Sequence, residues 1–207
     1  MLILTSSGKF IIQNNINQYL PKKITDCKIA YISTASKKVH DDSYAKNFQN
    51  TINKLNFSFN DIDIAGMNEG ELRKALDGHD IIFVEGGNTY YLLKSVRDSN
   101  FEKVIKEKLS EGVVYIGSSA GSYITGPSII MSTFNERGFD RFGITDFTAM
   151  NIVPFLLKAH YTPDMMERLK KDFSNTGHPL RILTDKQALI INNGAVQLLG
   201  EGDEIIL

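Results

Sequence analysis

The sequence predicts an α/β domain built on a mostly parallel sheet with helices on both faces. Short apolar runs typical of buried strands occur at residues 2–4, 28–33, 80–84 and 113–117. Segments with helical periodicity lie between these runs. Strands that alternate with helices along the chain favour a parallel sheet covered on both sides.

Two of the helical patterns are amphipathic. Tyr44, Phe48, Ile52 and Leu55 recur at helical spacing, and the segment 101–109 places Phe, Val, Ile and Leu on one face with charges opposite. The second pattern is followed by Gly112, a residue that commonly ends helices. Both patterns predict helices that pack their apolar face on the sheet.

The pattern loosens after about residue 126. Candidate strands are 147–153, 181–184, 188–192 and 195–200, and the turn Asn193-Gly194 separates the last two. This part of the chain is expected to close the same domain with short strands. We therefore expect one domain over residues 1–207.

Composition excludes several classes of protein. A net charge of -1 gives no electrostatic basis for binding nucleic acid. Cys27 is the only cysteine, which excludes an intramolecular disulfide and a cysteine-rich zinc site. The N-terminus has no basic leader, and no run approaches the roughly 18 apolar residues that span a bilayer. A cytoplasmic protein without a membrane partner is expected.

The segment VVYIGSSAGSYITG, residues 113–126, contains a G-x-S-x-G pattern in which Ser119 is the central serine. In a nucleophile elbow, small flanking residues permit a sharp turn from strand to helix that exposes the serine. The Ala120 N–H at the start of the following helix would then be an oxyanion donor. The alternative is an ordinary strand-to-helix turn that needs small residues for space.

A second glycine turn follows another predicted strand, in IIFVEGGNTYYLLK. Gly86 and Gly87 would lie at the same edge of the sheet as Ser119, so the Gly87 N–H could be a second oxyanion donor. The alternative is that these glycines only permit a positive φ. Neither phosphate-binding glycine pattern is present.

A serine nucleophile needs a base, and histidine is the usual one at neutral pH. Of the four histidines, His79 precedes a strand, His178 lies in a polar loop and His40 precedes a helix. His160 follows the apolar run VPFLLKA and is the histidine expected at the carboxyl end of a strand. The alternative for His160 is a structural role.

The motifs EGGNTYYLLK, YIGSSAGS and LLKAHY occur in an order and spacing that resemble the aspartyl dipeptidase (peptidase E) family of serine peptidases, which is related to cyanophycinase. The resemblance extends from the first strand to ALIINNGAVQLLG. It implies a three-layer α/β/α sandwich like that of class I glutamine amidotransferases, with a serine in place of their cysteine nucleophile.

The resemblance implies Ser119 as nucleophile, His160 as general base, and the Gly87 and Ala120 N–H groups as the oxyanion hole. It also implies an acidic residue fifteen to eighteen positions after the nucleophile. Glu136 is the predicted third member of the triad, with Asn135 as the alternative; a solvated loop position is the other reading of Glu136.

Residues for substrate binding are also implied. Asn88 lies in the second glycine turn, Asp185 could meet a substrate amine, and Arg168 could meet a carboxylate. Arg168 alternatively belongs to a charged helix face with Lys170 and Lys171. Ser118 is expected to shape the pocket.

The predicted function is a serine peptidase that hydrolyses small peptides, with dipeptides carrying N-terminal Asp as the family's substrates. The mechanism requires no metal or organic cofactor. The alternatives are an inactive binding or regulatory module on the same fold and a hydrolase of other acidic substrates. A homodimer is allowed, although no motif argues for it.

Overall fold

The computed structural model describes residues 1–134 and 140–207. Nine strands and seven α-helices make up the described architecture. The strands are β1 Leu2–Thr5, β2 Lys28–Ile32, β3 Ser58–Ile62, β4 Ile81–Val84, β5 Val114–Ser118, β6 Leu156–Lys158, β7 Leu180–Ile182, β8 Gln187–Asn192 and β9 Ala195–Gly200. The helices are α1 Phe10–Gln13, α2 Ser43–Lys54, α3 Glu69–Leu76, α4 Thr89–Asp98, α5 Phe101–Ser110, α6 Ala120–Tyr123 and α7 Met166–Phe173.

Seven strands form one sheet in the order β3-β2-β4-β5-β1-β8-β9. The first five in this order run parallel, and β8 and β9 are antiparallel additions at the β1 side. The remaining strands, β6 and β7, form a separate parallel pair. The predicted mostly parallel α/β fold is confirmed.

Side chains of successive strand residues enter two different cores, because neighbouring residues of a strand point to opposite faces. Leu4, Ile32 and Val84 pack with α3, α4 and α5 on one face. Ile3, Tyr31 and Phe83 pack with α1 and α2 on the other. Helices therefore cover both faces, and the predicted three-layer α/β/α architecture is confirmed.

The second core is rich in stacked aromatic rings. Tyr31 stacks on Phe83 with ring centroids 5.3 Å apart, and Phe48 of α2 stacks on the same Phe83 at 5.2 Å. Phe48 belongs to the amphipathic pattern that predicted this helix. The contact places α2, and the loop before it, over the carboxyl end of β4.

The β8–β9 hairpin turns at Asn193 and Gly194, which both have positive φ, as the sequence predicted. The predicted strand at 147–153 is wrong. Met150 and Val153 are buried, but their N–H groups donate to the Ile124 and Thr125 carbonyls of the loop after α6. The segment is therefore an irregular, partly buried loop, and the short β6 follows it.

No helix among the described residues is long and apolar enough to cross a membrane.

Candidate active site

The sheet order brings separate parts of the chain to one edge. Gly86 and Gly87 follow β4, Ser119 follows β5 and Ser6 follows β1, and these three strands are parallel neighbours. Asp185 precedes β8, which is antiparallel to β1, so the amino end of β8 reaches the same edge. Ligand sites of open α/β sheets form beyond this carboxyl edge.

Ser119 lies in a strained turn. Its φ of 47° and ψ of -103° are rarely adopted by a residue with a side chain. A Cβ at Gly117 would lie 2.7 Å from the Gly121 carbonyl oxygen, and one at Gly121 would lie 2.1 Å from that of Val84. Both glycines of the G-x-S-x-G pattern are therefore required by close backbone contacts.

His160 is placed against this serine. Its Nε2 lies 2.9 Å from Ser119 Oγ, within hydrogen-bond distance. His160 follows β6, so the smaller sheet supplies it, and its backbone has a φ of 56°. The backbone N–H of His160 donates to Ser6 Oγ at 2.7 Å, which ties this loop to the end of β1.

The other ring nitrogen of His160 meets a carboxylate. Nδ1 lies 2.6 Å from Asp185 Oδ1, and Ser6 Oγ donates to the same oxygen at 2.6 Å. The hydrogen bond with His160 is the largest cause that lowers the pKa of Asp185 to about 2. Asp185 is therefore ionised throughout the neutral range and can only accept hydrogen bonds.

The structure thus places Ser119, His160 and Asp185 in one chain of hydrogen bonds, the arrangement in which a serine, a histidine and a carboxylate act together in serine hydrolases. Asp185 was expected to contact a substrate amine, and the structure places it on His160 instead. The predicted third member, Glu136, and its alternative, Asn135, lie outside the described residues.

The turn after β4 faces the serine. A Cβ at Gly86 would lie 3.1 Å from Ser119 Cβ. Gly87 has a φ of 143°, and a Cβ there would lie 2.3 Å from the Ala35 carbonyl oxygen, so only glycine fits. In the described ranges, the N–H groups of Gly87 and Ala120 donate no hydrogen bond to the protein.

Two side chains hold this turn in place. Tyr44 Oη donates to the Gly86 carbonyl oxygen at 3.0 Å. Because the C=O and N–H of a trans peptide point in opposite directions, this bond aims the Gly87 N–H away from Tyr44. On the preceding residue, the Gly86 N–H donates to Glu85 Oε1 at 2.7 Å.

Glu85 is a buried carboxyl beneath the turn. It accepts hydrogen bonds from Tyr31 Oη at 2.6 Å, from the Gly86 N–H and from the Ser118 hydroxyl. Burial raises its pKa above the ordinary value for glutamate. Ser118 therefore contacts Glu85, the residue that supports the turn. This contact agrees with the expected role of Ser118 in shaping the pocket.

A cavity of about 540 Å³ opens beside Ser119 and His160. Its volume is in the range of sites that bind small molecules. Tyr44, Phe48 and Tyr90 give it an apolar wall. The ionisable residues of its lining besides His160 and the tyrosines are Lys9, His40, Asp41 and Glu85.

Two residues predicted to bind substrate have other contacts. Asn88 is buried: its Oδ1 accepts from the Tyr91 N–H as the N-cap of α4, and its Nδ2 donates to the Asp140 carbonyl. Arg168 lies over the Phe134 ring at 4.4 Å and pairs with Asp172 one turn along α7. Neither residue lines the cavity.

The histidines other than His160 lie mostly where the sequence predicted. His79 is at the amino end of β4, where its Nε2 lies 3.0 Å from Asn60 Oδ1. His178 is in the exposed loop before β7. His40 is exposed before α2 as expected, but it also lines the cavity.

Ser6 was missed by the sequence analysis. The signal was present: Thr5-Ser6-Ser7-Gly8 follows the first apolar strand, just as the two glycine turns follow theirs. Along the described parts of the chain, no cluster of three or more His, Cys, Asp or Glu residues could hold a metal ion.

The model of peptidase family S51 matches residues 2–199. The chain belongs to family S51. It is therefore a serine peptidase of this family. The predicted peptidase E resemblance is confirmed at this level.

Relatives of this S51 peptidase include an uncharacterized peptidase of Pasteurella multocida, 30% identical over 173 residues that cover 82% of this chain and 84% of that one. A peptidase E of Haemophilus influenzae is 29% identical over 157 residues, covering 75% of this chain and 66% of its own. A crystal structure of a candidate peptidase E from Listeria monocytogenes superposes with a TM-score of 0.83 at 27% identity, covering 97% of this chain and 98% of the other.

Proposed function

We propose that this S51 peptidase hydrolyses small peptides, with dipeptides that carry N-terminal Asp as its substrates, through an acyl-enzyme on Ser119. The observation that carries the proposal is the chain of hydrogen bonds from Ser119 through His160 to Asp185 beside an apolar cavity. A serine hydroxyl is a weak nucleophile unless a base takes its proton, and this chain of bonds supplies the base.

In the first half of the reaction, Ser119 Oγ attacks the peptide carbonyl and its proton passes to His160 Nε2. The imidazolium that results donates its Nδ1–H to the ionised Asp185. The N–H groups of Gly87 and Ala120 then donate hydrogen bonds to the carbonyl oxygen as negative charge develops on it.

In the second half, His160 gives its proton to the leaving amine, and the acyl group stays on Ser119. Water then attacks the acyl carbonyl while His160 takes one of its protons. His160 passes this proton to Ser119 Oγ as the acyl bond breaks, so the acid product leaves and both residues are restored. No group outside the described site is needed to balance protons in either half.

The preference for N-terminal Asp is supported by the relatives named peptidase E and by charges in the cavity. Lys9 is the lining cation available to a substrate carboxylate, and His40 is a second polar lining residue. Asp41 is the lining carboxylate available to the substrate ammonium group, because Glu85 is buried and hydrogen-bonded within the turn. Arg168 does not line the cavity, so Lys9 replaces it here as the candidate for the carboxylate.

The test is hydrolysis of a panel of Xaa-Leu dipeptides by the wild type and by Ser119→Ala. We expect turnover of Asp-Leu above the others, and its loss in the variant. Lys9→Met should raise KM for Asp-Leu and leave the KM of a neutral dipeptide unchanged, if any neutral dipeptide is hydrolysed. Retention of full activity by Ser119→Ala would overturn the proposal.

Fluorophosphonate labelling separates the remaining alternatives. A reagent that modifies activated serines should label Ser119 in an enzyme and leave an inert binding module unmodified. Labelling without dipeptide turnover would indicate a hydrolase of other acidic substrates. A cytoplasmic location and a homodimer stay predictions, to be checked by fractionation and by light scattering.

A further inference from the structure

Ser6 lies between the two residues that serve Ser119. It is fully buried and is the first residue after β1, the strand between β5 and β8. Its hydroxyl oxygen is 2.7 Å from the His160 backbone nitrogen and 2.6 Å from Asp185 Oδ1. One hydroxyl group therefore touches the backbone of the base and the carboxylate that supports the base.

The chemistry of the two partners fixes the direction of both hydrogen bonds. A backbone N–H can only donate, so the Ser6 oxygen accepts from His160. An ionised carboxylate can only accept, so the single Ser6 proton is donated to Asp185. The hydroxyl therefore has one orientation that satisfies both partners, with its only proton on the side of Asp185.

Both partners need such support. His160 has a φ of 56°, a left-handed conformation that is uncommon outside glycine, asparagine and aspartate. The Asp185 side chain is 60% exposed, so solvent competes for its oxygens. A buried hydroxyl anchored on the central sheet restrains each of them.

We propose that Ser6 is a positioning residue that holds the Asp185 carboxylate in line with His160 Nδ1 and fixes the backbone from which the imidazole projects. The inference rests on the proposed function, because it assigns the base and carboxylate roles to these two residues. Ser6 itself touches none of the reacting atoms.

The role predicts a particular kinetic signature. Ser6→Ala removes one hydrogen bond to a charged group and one to a backbone N–H, so kcat should fall by about tenfold or more. KM should stay within about twofold, because Ser6 lines the cavity but its hydroxyl is hydrogen-bonded to His160 and Asp185, and Lys9 and Asp41 are unchanged. The matched control is Ser99→Ala, which removes a fully buried hydroxyl that donates only to the Ser95 carbonyl, away from the cavity.

A double-mutant cycle tests whether Ser6 acts through Asp185. Groups that work as a unit show strongly non-additive effects. Ser6→Ala should therefore cost little further activity in an Asp185→Ala background. A full additional tenfold loss there, or a loss in Ser99→Ala equal to that in Ser6→Ala, would overturn the proposal.

A second readout needs no turnover. The Nδ1–H of His160, held against Asp185, should give a downfield proton resonance in the substrate-free protein. We expect Ser6→Ala to broaden or abolish it, and Ser99→Ala to keep it. An unchanged resonance in folded Ser6→Ala contradicts the role of Ser6. If Ser6→Ala broadens or abolishes the resonance but the wild type cleaves no peptide, only the proposed substrates are contradicted.

Discussion

The fold brings the Asp185 carboxylate against His160, although the two residues are far apart in the sequence. Asp185 lies 25 positions after His160 in the chain, and its Oδ1 is 2.6 Å from His160 Nδ1. A charge at this distance stabilises an imidazolium as it forms and fixes which ring nitrogen carries the proton. Substitution of single residues can therefore decide whether Asp185 or Glu136 supports His160.

Asp185→Asn keeps the shape of the side chain and removes its charge. We expect kcat to fall by about a thousandfold or more, by comparison with triads that lose their carboxylate. Glu136→Gln is the matched variant, for which we expect most of the activity to remain. Steady-state kinetics of both variants, with melting temperatures as a check on folding, measure the difference. A larger loss in Glu136→Gln would return the third position to the residue first predicted from the sequence.

The residues that sequence reasoning could find are those with a local signal. Ser119 sits inside a five-residue pattern, and Gly87 follows an apolar run that predicts a strand. The sequence names Asp185 but carries no signal for its contact with His160, because that contact depends on β8 running antiparallel to β1. That pairing reverses which end of the strand reaches the site, and periodicity does not report strand direction.

At the scale of the element, the turn after β4 carries the Gly87 N–H that we propose as an oxyanion donor. Its geometry depends on the Gly87 φ of 143° and on the Tyr44 bond to the Gly86 carbonyl. A side chain at position 87 would press on the Ala35 backbone at 2.3 Å and move the peptide. The turn therefore requires glycine at position 87, both for its backbone conformation and for space.

Gly87→Ala should reduce kcat by about a hundredfold, the cost of losing one oxyanion donor. The control is Gly78→Ala, where φ is also positive at 70° but no atom lies within 4 Å of the added Cβ. Gly78→Ala should cost about 1 kcal/mol of stability through backbone strain and leave kcat unchanged. Equal kinetic losses in the two variants would show that strain, and not displacement of the Gly87 N–H, is responsible.

Elements with regular periodicity were predicted well, and irregular ones were not. The helical spacing of Phe48 and Ile52 predicted α2 because the buried face of a helix recurs every three or four residues, whereas Tyr44 of the same pattern is exposed. The apolar segment 147–153 buries Ala149, Met150 and Val153, yet its N–H groups donate to the loop after α6. The apolar composition of this segment therefore predicted a strand where tertiary contacts impose a loop.

At the scale of the whole molecule, the active site joins two sheets. The large sheet supplies Ser119 and Ser6, and the small β6–β7 sheet supplies His160. Leu157 of β6 packs in the main core, and its neighbour Leu156 packs in a smaller cluster with α7. The small sheet is thus held between two apolar clusters, and the Ala159 N–H also donates to Tyr123 Oη at 3.1 Å.

Because β6 shares the main core, we expect activity and secondary structure to be lost together in urea, as one transition of a single domain over 1–207. Leu157→Ala should cost about 2–5 kcal/mol and lower both midpoints equally. Leu55→Ala, at an exposed position after α2, should move neither midpoint. Parallel urea titrations followed by circular dichroism and by hydrolysis rate give the measurement. Loss of activity at clearly lower urea than loss of the circular dichroism signal would mean that the small sheet opens by itself, and that the position of His160 depends on a less stable part of the fold.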